Sequence, residues 1–154
     1  MAFIGIVGAR KFRDKKAVKN LVASLGQDSI IVTSGCAGVC KWTQEQARRR
    51  DIQVLVYAPD LTNIRSRFDI SKRYYQRNRA LIEKCDFVHA FISKETGYKG
   101  GTRFEIEYAT KIGVPVKVHY EKGTSQLIWQ QNLPFNTDHF TTAWQDFFAE
   151  AVAF

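Results

Sequence analysis

The sequence predicts an α/β protein in which helices cover both faces of a parallel sheet. Short apolar runs, typical of strands buried on both sides, alternate with segments of helical periodicity over the first 120 residues. Strands that alternate with helices in this way are joined by right-handed crossovers, which place helices on both sides of one sheet. The 154 residues are expected to form one domain, with a core at 1–120 and a C-terminal part at 121–154 packed on it.

Five strands are predicted from short, mostly apolar runs. They are Phe3–Val7, Ser29–Thr33, Gln53–Tyr57, Asp86–Ile92 and Pro115–His119. Such runs fit the central strands of a parallel sheet, which have no solvated face. The predicted fold is therefore a single Rossmann-like, three-layer domain with a parallel five-stranded sheet and a C-terminal helix.

Four helices are predicted between these strands, from apolar residues that recur three or four positions apart. They cover residues 14–25, 43–50, 70–84 and 103–112. Gly26 and Gly113 stand where the first and the last of these helices should end. Thr43 and Gln46 have the spacing of a capping box, which would start the second helix at Thr43.

The C-terminal part departs from this alternation. Residues 121–139 contain Asn132, Pro134 and Asn136, and they are expected to form an irregular connection. A final helix is predicted over Thr141–Val152. Its apolar stripe consists of Trp144, Phe147, Phe148 and Val152. We expect this stripe to pack on the core, and the alternative is that it forms a homodimer interface.

The composition indicates the kind of partner. A formal charge of +8 favours anionic partners such as nucleotides, nucleic acid or acidic surfaces. Cys36, Cys40 and Cys85 form no disulfide framework, and the three histidines are scattered, so no metal site and no cofactor is predicted. The chain shows no signal peptide and no apolar stretch of transmembrane length. A cytoplasmic protein without a membrane partner is therefore expected.

The loops that follow the strands are the expected ligand site, because ligands of open parallel sheets bind beyond the carboxyl ends of the strands. Gly8-Ala9-Arg10 follows the first strand. Its glycine would allow a phosphate close to the backbone, and its arginine would supply donors. Ser34-Gly35-Cys36-Ala37-Gly38 follows the second strand, and its small residues leave room for a ligand. Both segments could instead be tight turns. The first lacks the Gly-x-Gly-x-x-Gly pattern, so NAD binding by that route is not predicted.

A dense basic segment lies between the third and fourth strands. It contains Arg65, Arg67, Lys72, Arg73, Arg77 and Arg79. On a helix over 70–84, Arg73 and Arg77 share one face, and Tyr74 and Tyr75 are placed to stack on nucleic-acid bases. The segment therefore indicates nucleic-acid binding, with a solvated basic helix face as the alternative.

The most informative segment is Gly100-Gly101-Thr102-Arg103-Phe104-Glu105, at the predicted start of the fourth helix. Two glycines before a helix N-terminus form a cradle for an anion. Glu105 is expected in the first turn, where the helix dipole favours the ionised carboxylate. Beside a ribose, that carboxylate could act as a nucleophile or stabilise an oxocarbenium-like transition state. The alternative is a capping box in which Glu105 bonds the backbone N–H of Thr102.

In their order along the chain, these segments resemble the SLOG superfamily of Rossmann-like nucleotide-binding proteins. The matching segments, within residues 3–120, are Ile6-Val7-Gly8-Ala9-Arg10, Ser34-Gly35-Cys36-Ala37-Gly38, Arg77-Asn78-Arg79 and Gly100-Gly101-Thr102-x-x-Glu105. The superfamily includes cytokinin-activating phosphoribohydrolases, proteins of the YspA type and the DNA-processing protein A family, whose members bind single-stranded DNA. The segment at 101–109 is also similar to part of the nucleoside deoxyribosyltransferases, which place a nucleophilic glutamate there.

The resemblance implies roles for individual residues. It gives Glu105 the catalytic role and Arg77 the role of the upstream arginine of the phosphoribohydrolases, in cleavage of an N-glycosidic bond. The glycine loop of those enzymes is longer, and here Tyr98-Lys99 precede the two glycines. Ligand contacts are predicted from Gly8, Ala9, Arg10, Ser34, Gly35, Cys36, Gly38, Asn78, Gly100, Gly101 and Thr102.

Three functions are consistent with these residues. The first, which we expect, is binding of a nucleotide or a nucleotide-derived phosphate ligand at the C-terminal edge of the sheet. The second is an N-glycosidase of the phosphoribohydrolase kind acting on a nucleoside monophosphate, in which Glu105 assists departure of the base and Arg77 holds the phosphate or the carboxylate. The third is a single-stranded nucleic-acid-binding module that uses the basic segment at 65–79.

Overall fold

The structure of the chain is a computed structural model that describes residues 1–128. Its strands are β1 (Phe3–Gly8), β2 (Ile30–Ser34), β3 (Gln53–Tyr57), β4 (Phe87–Ile92), β5 (Val116–Tyr120) and β6 (Ser125–Ile128). Its helices are α1 (Lys15–Ser24), α2 (Val39–Arg49), α3 (Arg67–Lys84) and α4 (Gly100–Ile112), followed by a short 3-10 turn at Glu121–Gly123. The predicted helix Thr141–Val152 lies outside the described residues.

All six strands belong to one sheet, in the order β3-β2-β1-β4-β5-β6. Strands β1 to β5 run parallel, whereas β6 is antiparallel to β5. The Rossmann-like α/β class and the parallel arrangement of the five predicted strands are thus confirmed. The chain moves outward from β1 to β3 and then returns to begin β4 on the other side of β1. The ends of β1 and β4 therefore mark the point where the strand order reverses, which is where open α/β sheets bind ligands.

The prediction of five strands is wrong by one, because the segment that follows β5 pairs with the sheet. Lys122 and Gly123 both have positive φ (72° and 84°), and they turn the chain back on itself. The N–H of Tyr120 donates to the carbonyl of Thr124 (2.9 Å), and β6 then continues along the edge of the sheet. No apolar run marks β6 in the sequence, because three of its four residues are exposed, as is usual for an edge strand.

The sheet separates two apolar cores. Ile6 on β1 faces the core that α1 and α2 cover, together with Val18 and Val22 of α1. The next residue, Val7, faces the opposite core, which contains Leu81 of α3 and residues of α4. This alternation along β1 is the pleat of a strand buried on both sides. Helices on both faces of one sheet are consistent with the predicted three layers.

Helix α2 begins earlier than predicted. Its N-cap is Gly38, at φ 78°, and Val39 is its first residue. Thr43 is therefore buried in the second turn, where its hydroxyl donates to the carbonyl of Val39 (2.8 Å). The predicted capping box of Thr43 and Gln46 is wrong, because the hydroxyl bonds back to the preceding turn instead of capping the helix.

Helix α4 also begins earlier than predicted, at Gly100 instead of Arg103, with Lys99 as an N-cap that forms no side-chain bond. Gly100 has a positive φ (64°), a conformation that costs glycine little and lets the helix start at once after the loop. Glu105 consequently lies in the second turn. Its predicted place in the first turn, and the capping box with Thr102, are both wrong.

Helix α3 is the longest described helix, with 18 residues. Ser66 caps it, and Asp69 completes a reciprocal capping box, so the helix begins three residues before the predicted residue 70. It carries six arginines and lysines along its length. No helix within residues 1–128 is both long enough and apolar enough to cross a membrane.

Candidate functional site

Four of the predicted segments meet beyond the carboxyl ends of β1 and β2. The Sγ of Cys36, after β2, lies 3.9 Å from Nη2 of Arg10, after β1, and 3.8 Å from Nη2 of Arg77, on α3. The next residue of α3, Asn78, lies against Gly101 in the first turn of α4. We use the name strand-end site for the group formed by Arg10, Cys36, Arg77, Asn78, Gly101 and Glu105.

Arg77 is a buried cation held by neutral groups. Its Nε donates to Oδ1 of Asn78 (2.7 Å), and its Nη1 donates to the carbonyl of Tyr57 at the end of β3 (3.4 Å). The guanidinium carbon lies 5.3 Å from the centre of the Tyr74 ring, a cation–π distance. Within residues 1–128, no carboxylate oxygen lies within 4 Å of this guanidinium. Because buried charges in proteins are normally paired, the arrangement is suited to receive an anion.

Glu105 is a buried acid on α4. The residue is 8% exposed, and its carboxyl forms no hydrogen bond with residues 1–128. Burial raises the pKa of Glu105 to about 8; the charge of Arg77 acts against this rise, and a negative charge on Cys36 adds to it. The carboxyl is therefore mostly protonated at neutral pH. This differs from the ionised carboxylate that a place in the first turn predicted, because burial outweighs the neighbouring positive charge.

Asn78 joins the two ends of the site. It is 3% exposed, and its Oδ1 accepts the bond from Nε of Arg77. This bond turns Nδ2 toward α4, where it lies 3.4 Å from the position that a Cβ on Gly101 would take. Oε1 of Glu105 lies 3.6 Å from the same position. An amide donor and a protonated acid thus lie side by side at the start of α4.

Gly8 and Ala9 have structural roles at the end of β1. A Cβ on Gly8 would lie 2.8 Å from Cγ2 of Val39 and 2.9 Å from Cβ of Phe91, so the missing side chain lets α2 pack against the sheet. The N–H of Ala9 donates to the carbonyl of Phe91 (3.1 Å) and extends the pairing of β1 with β4. Arg10 is therefore the residue of the predicted Gly8-Ala9-Arg10 segment whose side chain reaches the strand-end site.

The other glycines differ in the space around them. Gly38, at φ 78°, is packed against the Arg10 carbonyl, which would lie 2.8 Å from a Cβ at this position. Gly35 and Gly100 face open space, with no atom of the described part of the chain within 4 Å of a Cβ built on either. Thr102 is buried at the start of α4. Room for a ligand at the glycine segments is therefore found at Gly35 and Gly100.

The Ser34 side chain holds the loop after β2 in shape. Its hydroxyl donates to Sγ of Cys40 (3.2 Å) and accepts from the N–H of Cys36 (3.3 Å). Gln44 donates to the Ser34 carbonyl (3.1 Å). Burial by itself would raise the pKa of the Cys36 thiol, but hydrogen bonds with Ser34 and Arg77, with the charge of Arg77, lower it below its ordinary value.

The basic segment at 65–79 does not gather into one surface. Arg77 points into the strand-end site, Arg73 pairs with Asp60 (3.5 Å), and Arg79 lies over the ring of Phe104 (5.7 Å). Arg79 and Phe104 belong to an open groove of about 580 Å³ between α3 and α4. This α3–α4 groove is lined by Lys72, Tyr75, Arg79, Gly100, Arg103 and Phe104, among others. It adjoins the strand-end site through Gly100.

Two contributors to the site were missed by the sequence analysis. Tyr57 contributes its backbone carbonyl, and the only signal for this role was its place at the end of a predicted strand. Gln44 lies on α2 and supports Ser34, and nothing in the sequence distinguishes it from a solvated helix residue. Both contacts involve a backbone carbonyl, and residue-type patterns do not report such contacts.

Comparison with known proteins provides no assignment for this arrangement. No protein-family model matches the chain. A search of curated proteins finds no match either. The function therefore has to be inferred from the burial, charge and hydrogen bonding of the site residues.

Proposed function

We propose that the strand-end site binds a nucleotide or another phosphate-bearing ligand. The observation that carries the proposal is the buried guanidinium of Arg77, which has no carboxylate oxygen within 4 Å among residues 1–128. A phosphate would supply the missing charge and accept the paired donors of a guanidinium. Arg10, whose Nη2 lies 3.9 Å from Sγ of Cys36, could add a second set of donors.

A sugar attached to the phosphate would find complementary groups beside Arg77. Nδ2 of Asn78 is a donor, and the protonated carboxyl of Glu105 offers both a donor and an acceptor to hydroxyl groups. Gly35 and Gly100 both face open space. A nucleotide or a sugar phosphate would use both the cation and these hydroxyl-binding groups. The site also lies at the strand ends, where such ligands bind in open α/β sheets.

The alternative of an N-glycosidase has a specific basis in Glu105. A buried carboxyl that is protonated at neutral pH can act as a general acid. It would give its proton to the departing base while the bond from the sugar C1′ to the base nitrogen breaks and a water oxygen bonds to C1′. The carboxylate would then regain a proton from that water.

The experiment for both functions is a thermal-shift titration with nucleoside monophosphates, the corresponding nucleosides and inorganic phosphate. A ligand at about 100 times its Kd stabilises the native state by about 2.7 kcal/mol and so raises Tm. We expect a shift with the monophosphates and a smaller one, or none, with the nucleosides. Equal shifts with nucleosides and nucleotides, or none with any phosphate, would contradict the proposal. Chromatography of the bound compound separates binding from turnover, because an N-glycosidase returns free base and sugar phosphate.

Matched variants assign the effect to Arg77. Arg77→Met removes the guanidinium, and Arg77→Lys keeps the charge but loses the paired donors. Arg73→Met, one turn earlier on α3, removes a cation that pairs with Asp60 outside the site. We expect the monophosphate shift to be lost in the first variant, reduced in the second and kept in the third.

A second candidate, single-stranded nucleic-acid binding, is favoured by the α3–α4 groove. The rings of Tyr75 and Phe104 lie 4.7 Å apart, and Lys72, Arg79 and Arg103 line the same groove. Aromatic rings among cations suit stacked bases and a phosphate backbone. Fluorescence anisotropy with a labelled oligodeoxythymidine would test this at several salt concentrations. Binding that weakens steeply with salt and is lost in Phe104→Ala, but kept in Lys16→Ala on α1, would support it.

A further inference from the structure

The three cysteines of the chain lie in different surroundings. Cys40 and Cys85 are 2% and 6% exposed. The Cys85 thiol donates to the carbonyl of Leu81 (3.2 Å), and burial raises its pKa to about 12. Burial also raises the pKa of Cys40. Cys36 is only partly buried, so it is the cysteine that a dissolved reagent can reach.

Cys36 is also the cysteine surrounded by positive charge. Nη2 of Arg77 and Nη2 of Arg10 lie 3.8 and 3.9 Å from its Sγ, on two different elements of the fold. The N-terminus of α2 begins three residues later at Val39, and its N-cap, Gly38, provides no side-chain bond. Cations and a helix N-terminus both stabilise a thiolate over a thiol.

A second, independent feature shows that this region is suited to receive an external group. Glu105 is more than nine-tenths buried as a residue, and its carboxyl forms no hydrogen bond within residues 1–128. It is close enough to Cys36 that a thiolate there raises the pKa of Glu105. Gly35, next to Cys36, faces open space. The thiol thus belongs to a site with an unsatisfied polar group and room beside it.

We infer that Cys36 is a modification site whose thiolate reacts with alkylating electrophiles and hydroperoxides, and that its modification and occupation of the strand-end site by a phosphate exclude each other. The second part rests on the proposed function. With hydrogen peroxide, the thiolate sulfur attacks one oxygen, the S–O bond forms as the O–O bond breaks, and hydroxide leaves. The sulfur is oxidised to a sulfenic acid and the peroxide is reduced. With iodoacetamide, an S–C bond forms and iodide leaves.

Modification of Cys36 and phosphate binding should exclude each other because both use the guanidinium groups of Arg10 and Arg77. A phosphate between Arg10 and Arg77 would place negative charge next to Sγ, which disfavours the thiolate and blocks access to it. Conversely, a carbamidomethyl group on Cys36 would occupy space beside the two guanidinium groups that contact Sγ. The rate of alkylation should therefore fall as the site fills, and the alkylated protein should bind phosphate less well.

The test is the rate of iodoacetamide labelling of the folded, full-length chain, followed by peptide mass spectrometry. Cys40 and Cys85 are internal controls within the same molecules. We expect Cys36 to be labelled more than about tenfold faster than either, with a pH midpoint below the ordinary thiol pKa of about 8.5. In Arg77→Met and in Arg10→Met the midpoint should move up, whereas Lys11→Met should leave it in place, because Lys11 pairs with Glu95 instead. A Cys36 midpoint at or above the ordinary value in the wild-type chain would overturn the inference.

Different results would contradict the reactive thiol and its mutual exclusion with phosphate. We expect adenosine monophosphate and inorganic phosphate to slow the labelling of Cys36 in proportion to occupancy. If the lowered midpoint is found but neither compound protects Cys36 or raises Tm, the reactive thiol stands and the proposed function is wrong. If a monophosphate raises Tm yet leaves the labelling rate unchanged, the proposed function stands and mutual exclusion is wrong.

Discussion

Arg77 donates through Nε to Oδ1 of the next residue, Asn78, at 2.7 Å. The side chains of neighbouring residues on a helix usually point in different directions, so a hydrogen bond between them requires that both turn toward one region. Here that region is the strand-end site. The bond fixes the amide so that Nδ2 faces Gly101, and it fixes the guanidinium so that Nη2 faces Cys36.

Removing this amide should cost both stability and ligand binding. Asn78→Leu has a similar volume but leaves Nε of a buried guanidinium without its acceptor. A lost partner of this kind destabilises by about 1–3 kcal/mol. We expect the free energy of unfolding in urea to fall by this amount. Gln76→Leu, on an exposed position of the same helix, should change it little. An Asn78→Leu chain as stable as the wild type would show that the bond does not hold Arg77 in place.

The buried carboxyl of Glu105 should make the protein less stable as the pH rises. Its pKa is about 8 in the folded chain against an ordinary value of 4.5, so between these values the folded state binds more protons than the unfolded state. The free energy of unfolding must then decrease with rising pH over this window, by an amount on the order of 5 kcal/mol, and level off above it. Glu105→Gln should remove the decrease, so that the variant equals the wild type near pH 5 and exceeds it near pH 9.

The matched control is Glu107→Gln. Glu107 lies two positions further on α4, is exposed and pairs with Arg103 at 3.1 Å. Its removal should leave the pH dependence of the wild type unchanged. Urea unfolding at several pH values measures both variants. A slope that persists in Glu105→Gln would mean that this carboxyl is already ionised in the folded chain.

Much of the fold could be predicted from the sequence, because most positions of the five parallel strands are apolar, as the burial of central strands on both faces requires. The antiparallel edge strand could not, since exposed residues at an edge resemble a loop. The start of α4 could not either, because paired glycines usually indicate a loop, whereas Gly100 here takes a positive φ as the first residue of the helix. That shift of three residues puts Glu105 in the second turn, where it is buried, instead of in the predicted first turn.

The location of the site was also predictable in outline. Loops that follow parallel strands meet at one edge, and this rule selects Arg10 and Cys36. The contact of Arg77 with Cys36 joins residues 41 positions apart and depends on how α3 crosses the sheet, which no local pattern encodes. The same limit applies to Gly8, whose role is to let Val39 pack closely.

Gly8 and Gly35 provide a pair of substitutions with opposite expected outcomes. In Gly8→Ala the new methyl group would lie within 3 Å of Val39 and Phe91, which are fully buried, so overpacking should destabilise the chain by about 1–3 kcal/mol. In Gly35→Ala the methyl group enters open space. The free energy of unfolding should stay close to that of the wild type, while the thermal shift with a nucleoside monophosphate should shrink. Equal losses of stability in the two variants would contradict this assignment of packing and ligand space.

The histidine pair of the sheet should limit stability in acid. Nδ1 of His89 and Nε2 of His119 lie 2.8 Å apart on neighbouring strands, and the His119 ring stacks on Phe91. Burial lowers the pKa of His89 to about 3 and that of His119 to about 4. The charge of Lys117 lowers both pKa values further, and the charge of His119 also lowers that of His89. Both rings stay neutral in the folded chain while the unfolded chain takes up protons near its ordinary pKa of 6.5. The free energy of unfolding therefore keeps its full value above about pH 6.5 and falls as the pH drops toward 4.

Two variants separate the hydrogen bond from the proton linkage. His119→Phe keeps a ring against Phe91 but leaves Nδ1 of the buried His89 without its partner, which should cost about 1–3 kcal/mol at neutral pH. The double variant His89→Phe with His119→Phe removes both polar groups, so it should recover part of that loss and lose stability less steeply between about pH 6.5 and 4 than the wild type. Urea unfolding across this range measures both effects. If the double variant is as sensitive to acid as the wild type, carboxylates elsewhere in the chain, and not this pair, set the acid limit.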